Sequence, residues 1–133
     1  MTTEETSTHT HYEQNKQIAR AFLAAIANGD HAAIEQLLHP ELTWWVLGFG
    51  EFDRTSFIAS LHATIAMSSE RSLQIIGVTA EADRVAVEAL GHFQMPTTVY
   101  SNTYHYLFIV CDQQIKVGKE YFDTAEAARV FTR

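Results

Sequence analysis

The side chains whose types and spacing could do chemistry lie near the end of the chain, at His105 and Glu120. They belong to two apolar segments, rich in β-branched and aromatic residues, that only Asp112-Gln113 separates. This pattern predicts a long β-hairpin over residues 102–123. If Asp112 and Gln113 form a tight two-residue loop, Cys111 lies opposite Gln114 and the pairing continues residue by residue along both strands. His105 then lies opposite Glu120. Directly opposed residues share a face, with Cβ atoms about 5 Å apart.

An imidazole beside a carboxylate on an apolar wall suits general acid–base catalysis. Desolvation raises the pKa of a carboxylate, whereas a neighbouring imidazolium lowers it, so the pair could share one proton near neutral pH. Such groups typically contribute about 10²–10⁴ in rate. We predict that Glu120 is the acid or base and that His105 orients it or handles a second proton. A purely structural, hydrogen-bonded pair is the alternative.

The elements that must position this pair begin with helices. Apolar residues at helical spacing predict a first helix from about Tyr12 to Asn28, a second over about 31–38 and a third over about 53–67. Residues 1–10 are rich in Thr, Ser and Glu and are expected to form a disordered tail before a single domain over residues 11–133. His62, beside the apolar stripe of the third helix, is expected to be a partly exposed helix residue.

Strands follow the helices. Residues 42–47, 72–80 and 84–95 have strand patterns, and a short C-terminal helix begins after Asp123, whose spacing to Glu126 indicates a capping box. Helices followed by a strand meander predict an α+β fold, with helices packed on one face of a curved antiparallel sheet. Such a sheet can leave a conical, mainly apolar cavity between its concave face and the helices, a type of site that small ligands favour.

Composition excludes several classes of function. The 133 residues carry a net charge of −7, which argues against nucleic acid and against an anionic membrane surface as partners. The single cysteine excludes an internal disulfide. We find no secretory segment, no membrane-spanning apolar run, no phosphate-binding loop and no metal-spaced cluster. We therefore expect a cytoplasmic protein without cofactor or metal.

Three segments resemble a known family: Phe22 to Asp30 (FLAAIANGD), Leu38 to Trp44 (LHPELTW) and Ile115 to Asp123. They are similar to the SnoaL-like, ketosteroid-isomerase-like proteins of the nuclear transport factor 2-like superfamily. The resemblance covers nearly the whole chain after the tail. It implies a cone-shaped α+β fold, but the same fold carries enzymes, binding proteins and interaction modules. The family's enzymes usually need no cofactor.

The resemblance also implies which catalytic groups are absent. The tyrosine, the aspartate base and the protonated aspartic acid of ketosteroid isomerases correspond to Phe22, Val46 and His105, so that mechanism is unlikely here.

Limonene-type epoxide hydrolases offer a second comparison, because Glu120-Tyr-Phe-Asp123 resembles their Asp-Tyr-Phe-Asp segment and places Glu120 at one catalytic carboxylate. Their arginine and second aspartate correspond to Ala89 and Gly91. In this register Glu88 and His92 face away from the cavity.

We therefore expect a small hydrophobic molecule in the cavity, with Glu120 and His105 available for isomerisation, dehydration, cyclisation or hydrolysis. The alternative is a non-catalytic ligand-binding or dimerisation module. The side chains expected to contact the ligand are Phe22, Trp44, Val46, Phe57, Leu61, Ala89 and Leu107. We also expect a homodimer through the outer sheet face, because exposed apolar patches mark interfaces. That face is predicted to present Trp45, Tyr104, Tyr106 and Phe108.

Overall fold

A computed structural model describes residues 3–131, with side chains from residue 10 onward, and confirms the α+β fold. Within this range four helices accompany one curved, open six-stranded sheet. The helices are α1 (Thr3–Asn28), α2 (His31–Leu37), α3 (Arg54–Met67) and α4 (Thr124–Val130). The strands are β1 (Leu38–Val46), β2 (Gly50–Asp53), β3 (Glu70–Glu81), β4 (Arg84–Gln94), β5 (Val99–Cys111) and β6 (Gln114–Tyr121). Among the described residues, no helix is both long and apolar enough to cross a bilayer.

The sheet has the order β2-β1-β6-β5-β4-β3. All neighbouring strands pair antiparallel except β1 and β6, which are parallel. The sequence did not predict this parallel pair or the short strand β2. The pairing matters for the site because it places Trp44 beside Gly118 and Val46 beside Glu120.

Helix α1 begins at Thr3, so residues 3–10 extend the helix, where we had expected a disordered tail; Met1 and Thr2 lie outside the described residues. The difference arises because these residues have no apolar period, the signal used to predict helices. The second half of α1 packs on the sheet through Ala19, Phe22 and Leu23, all 1% exposed or less.

The hairpin of β5 and β6 contains an irregularity that overturns the predicted His105–Glu120 pair. Asp112 and Gln113 do form the two-residue turn, both with positive φ. However, Val110 pairs with Ile115, whereas Ile109 pairs with Val117. Lys116 is therefore an extra residue, a β-bulge, and beyond it the facing partners shift by one.

The shifted register reverses the faces of β5. Tyr106 now lies opposite Glu120, and His105 lies opposite Tyr121. His105 is exposed on the outer face, whereas Tyr104, Tyr106 and Phe108 are buried on the inner face. The predictions of an inward His105 and of three outward aromatic residues were wrong, because one inserted residue moves a whole set of side chains to the other side.

Gly118 makes room for the largest buried side chain. Trp44 is 1% exposed and lies across Gly118 on the neighbouring strand, where a Cβ at position 118 would overlap the indole ring. Gly77 in β3 offers a contrast, since a Cβ there meets nothing within 4 Å.

We expect Gly118→Ala to lower the free energy of unfolding by about 1–3 kcal/mol, the usual cost of overpacking, because the Trp44 ring must move. Gly77→Ala is the matched control and should change stability little. Urea denaturation of both variants measures the difference. Equal losses of unfolding free energy in the two variants would contradict the packing of Trp44 against Gly118.

Candidate active site

The cavity lies between the inner face of the sheet and the helices and has a volume of about 250 Å³. Most of its wall is apolar, and the carboxyl of Glu120 is the ionisable group with the lowest ordinary pKa in it. The sheet side of the lining consists of Trp44, Val46, Phe52, Leu73, Phe93, Tyr100, Tyr104, Tyr106 and Glu120. Helices and connecting segments contribute Ile26, Phe49, Phe57, Ser60, Leu61, Thr64, Phe122, Ala127 and Phe131.

Glu120 is held by one strong hydrogen bond. The Trp44 indole Nε1–H donates to Glu120 Oε1 at 2.7 Å. Burial raises the pKa of Glu120 to about 7, although the indole bond acts in the opposite direction by favouring the carboxylate. A carboxyl that titrates near neutral pH can both accept and donate a proton under ordinary conditions.

Trp44 is itself fixed by aromatic packing. Its indole stacks on Phe57 of α3 at 4.0 Å between ring centroids and contacts Phe22 and Phe108 at 5.6 and 5.9 Å. Helix α3 is aligned for this contact by its N-cap, where the Asp53 carboxylate accepts from the Ser56 backbone N–H at 2.8 Å. The donor to Glu120 is thus held in place by packing.

Three tyrosines from β5 add hydroxyl groups to the sheet side of the wall, and Ser60 and Thr64 add two on the helix side. Tyr104 and Tyr106 stack at 5.2 Å, and Tyr106 faces Glu120 across the strand pair. Burial raises the pKa of Tyr100, Tyr104 and Tyr106 above that of a free phenol, and the nearby Glu120 charge acts in the same direction. The three hydroxyls therefore remain protonated, and each has a proton that it can donate.

Comparison with known proteins assigns the family. The family model for the SnoaL-like domain matches residues 19–117, about three quarters of the chain. The chain belongs to the SnoaL-like domain family. No match was found among curated proteins.

Solved structures confirm the nuclear transport factor 2-like, ketosteroid-isomerase-like fold. An LEH-like epoxide hydrolase from M. tuberculosis is 18% identical with a TM-score of 0.79, covering 90% of each chain. IdmH, a putative polyketide cyclase from Streptomyces antibioticus, is 14% identical with a TM-score of 0.75, covering 85% of this chain and 94% of its own. PrhC from Penicillium brasilianum is 15% identical with a TM-score of 0.81, covering 89% and 85%.

In this SnoaL-like protein the residues predicted from sequence fall into three groups. The cavity wall includes Glu120, Trp44, Val46, Phe57 and Leu61. Behind the wall, Phe22 packs against Trp44, and Ala89 is buried opposite Tyr104 on the inner face. On the outer face lie His105 and Leu107, so neither can touch a ligand in the cavity.

The sequence analysis missed Tyr100, Tyr104 and Tyr106 as cavity residues. The signal was present, since β5 alternates an aromatic set with a set that contains Ser101, Thr103 and His105, and the more apolar set normally faces the core. Glu88 and His92 are exposed on the outer face, as expected, and His92 Nδ1 lies 2.7 Å from Ser101 Oγ there.

One group of potential metal ligands lies outside the cavity. Ligand atoms of His39, Cys111 and Asp112 lie within 4.8 Å of one another. However, His39 Nδ1 accepts the Glu41 backbone N–H at 3.0 Å, so the neutral ring carries its proton on Nε2, the atom that would have to bind the metal. This arrangement suits an electrostatic contact with Asp112 Oδ2, 3.9 Å from His39 Nε2, better than a metal site.

The raised pKa of Glu120 has a measurable consequence for stability. Because the folded-state pKa, about 7, exceeds the ordinary value of 4.5, the folded protein binds this proton more tightly than the unfolded chain. Stability contributed by the protonated group is complete below pH 4.5 and is lost as the pH rises through 7.

We expect the free energy of unfolding of the wild type, relative to Glu120→Gln, to fall by about 2–3 kcal/mol between roughly pH 5 and pH 8. Denaturation of both proteins across this range measures the difference. Glutamine keeps the acceptor for Trp44 but does not titrate, and every other group titrates in both proteins. A difference that stays constant or grows with pH would contradict the raised pKa.

Proposed function

We propose that this SnoaL-like protein binds a small, mostly apolar molecule in the cavity and that Glu120 moves a proton on it. The observation that carries the proposal is the carboxyl of Glu120, with a pKa of about 7, inside an apolar hollow and fixed by Trp44. Sites of this kind, apolar with a few oriented polar groups, are typical of small-ligand binding.

The volume supports a ligand of modest size. An apolar cavity of about 150 Å³ can hold benzene, so the cavity of about 250 Å³ here has room for roughly ten heavy atoms. Aromatic rings cover most of the wall, which favours a flat or cyclic molecule. Ligand affinity is then expected to come mainly from the apolar area removed from water.

The chemistry that fits best uses one acid–base group twice. Among the described residues, Glu120 is the one carboxyl of the cavity wall, and the outward position of His105 leaves it without an imidazole beside it. In an isomerisation, the same carboxyl removes a proton from one carbon and returns it to another. In a dehydration, it transfers the removed proton to the leaving hydroxyl. Neither reaction needs a second base. Epoxide hydrolysis and cyclisation, named for two similar structures, are alternatives of the same cofactor-free class.

A direct test uses the isomerisation of cyclohex-3-enone, in which Glu120 would take a proton from the carbon between the carbonyl and the alkene and return it to the far alkene carbon. The conjugated product absorbs in the ultraviolet. We expect Glu120→Gln to lower kcat/KM by about 10²–10⁴ while ligand binding persists.

His105→Ala is the matched control and should leave turnover unchanged, because His105 lies on the outer face. Equal turnover in the wild type and Glu120→Gln would exclude the acid–base role. Failure of cyclohex-3-enone, styrene oxide and acetophenone alike to bind at millimolar concentration would overturn the ligand-binding proposal itself.

The outer face of the sheet supports a second role, association with another copy of the chain. Apolar side chains line this face despite their outward position, with Tyr121 39% and Val99 47% exposed. The half-exposed members are Trp45, Leu90, Leu107, Ile109 and Val117. Exposed apolar side chains gathered on one face are typical of an interface, so we propose a homodimer through the sheet, with Lys119, directly opposite Leu107, among the polar residues between them.

We expect Leu107→Lys to convert the dimer into a monomer, because a second ammonium group directly opposite Lys119 would be buried in the interface without a counter-charge. Thr79→Lys, on the same face of edge strand β3, is the matched control and should remain dimeric. Light scattering coupled to size exclusion measures both. A wild type that is monomeric at micromolar concentration would exclude the dimer.

A further inference from the structure

Asn102 makes a set of contacts that determines the orientation of its amide. The Asp123 backbone N–H donates to Asn102 Oδ1 at 2.9 Å, so the other end of the amide must be the nitrogen. That nitrogen donates to the Asp123 backbone carbonyl at 2.9 Å and to the Tyr100 hydroxyl oxygen at 2.8 Å. Asn102 is 7% and Tyr100 4% exposed, so their contact is buried, whereas the two contacts with Asp123 lie at the edge of the protein.

The Tyr100 hydroxyl consequently acts as an acceptor within the protein. Its oxygen accepts the Asn102 amide N–H at 2.8 Å. Because Asn102 occupies an acceptor position of this oxygen, the proton of Tyr100 itself is directed away from the amide. Within residues 10–131, no acceptor takes this proton.

The Tyr100 ring forms part of the cavity wall and is held in place on two sides. It packs against Phe131 edge to face at 4.9 Å and against Phe93 at 6.0 Å between centroids. A hydroxyl that accepts a hydrogen bond, as Tyr100 does from Asn102, is polarised and becomes a stronger donor. Tyr106 differs, since no hydrogen bond orients its hydroxyl among the described residues.

We propose that the Tyr100 hydroxyl donates a hydrogen bond to an acceptor oxygen of the ligand, with Asn102 as the positioning residue that directs this proton into the cavity. The ligand class is thereby narrowed to apolar molecules that carry a carbonyl or ether oxygen. The inference rests on the proposed function, because it concerns the same cavity, but it concerns recognition and not turnover. A buried donor of this kind discriminates against analogues without the oxygen, since it would then be left unpaired.

The experiment compares acetophenone with α-methylstyrene, which has the same shape but a methylene group in place of the carbonyl oxygen. Tyr100→Phe should weaken acetophenone binding roughly three- to tenfold, the effect of one neutral hydrogen bond, and leave α-methylstyrene binding unchanged. Tyr106→Phe is the matched control and should affect both ligands equally. Loss of acetophenone binding in Tyr106→Phe alone would assign the contact to Tyr106 and overturn the proposal.

Infrared spectra of carbon-13-labelled acetophenone provide a second readout that does not depend on the stability of any variant. In the wild type the carbonyl band should lie at lower frequency than in hexane, and it should return to the hexane position in Tyr100→Phe. A wild-type band at the hexane position, with acetophenone bound, would overturn this inference and leave the ligand-binding proposal intact. If neither molecule binds, both proposals fail.

Asn102→Leu tests the positioning role. Without the amide, the Tyr100 oxygen loses one donor and its proton loses its fixed direction. We expect the carbonyl band of bound acetophenone to broaden and move towards the hexane position while α-methylstyrene affinity is retained. An unchanged band would show that Asn102 has only a structural role at the start of α4.

Discussion

The one-residue bulge at Lys116 is the constraint on which the site depends. It changes the partner of Glu120 from His105 to Tyr106 and so determines which of the two alternating sets of β5 side chains faces the cavity. The inner face becomes a row of stacked aromatic rings, and the histidine goes to the outer face. Removal of this single residue from the pairing would exchange the two sets, because side chains alternate along a strand. The chemical character of the cavity is therefore set by a backbone feature about four residues from the carboxyl.

Given that register, the remaining site follows from packing. Gly118 lets the Trp44 indole lie flat across β6, Phe57 stacks on its other side, and the indole N–H meets the carboxyl of Glu120. Phe57 and Gly118 fix the position of the indole, and the indole fixes the orientation of the carboxyl. Among the described residues, Glu120 has no ion-pair partner. An isolated carboxyl in apolar surroundings is costly when charged, and this cost is what brings its titration into the neutral range.

Much of the architecture could be predicted because its signals are local. The apolar period of residues 12–28, the cap at Asp123 and the turn at Asp112-Gln113 all depend on near neighbours. The bulge could not be predicted in this way, since it depends on how β6 meets β5 and β1 on its two sides. Trp44, Phe57 and Glu120 were placed in the cavity because their own strand or helix sets their direction, whereas His105 and the tyrosines were misplaced by the register.

The last helix is joined to the sheet by Asn102 at its start and by Arg129 near its end, which donates to the Val99 backbone carbonyl at 3.0 Å. Asn102 pairs with both backbone groups of Asp123, the residue that caps α4, and α4 in turn presents Ala127 to the cavity. The amide thus imitates a strand neighbour at the point where the sheet ends and the terminal segment starts. Displacement of that segment would change both the shape of the cavity and the orientation of the Tyr100 hydroxyl. The position of the terminal helix and the recognition of a ligand oxygen are therefore coupled.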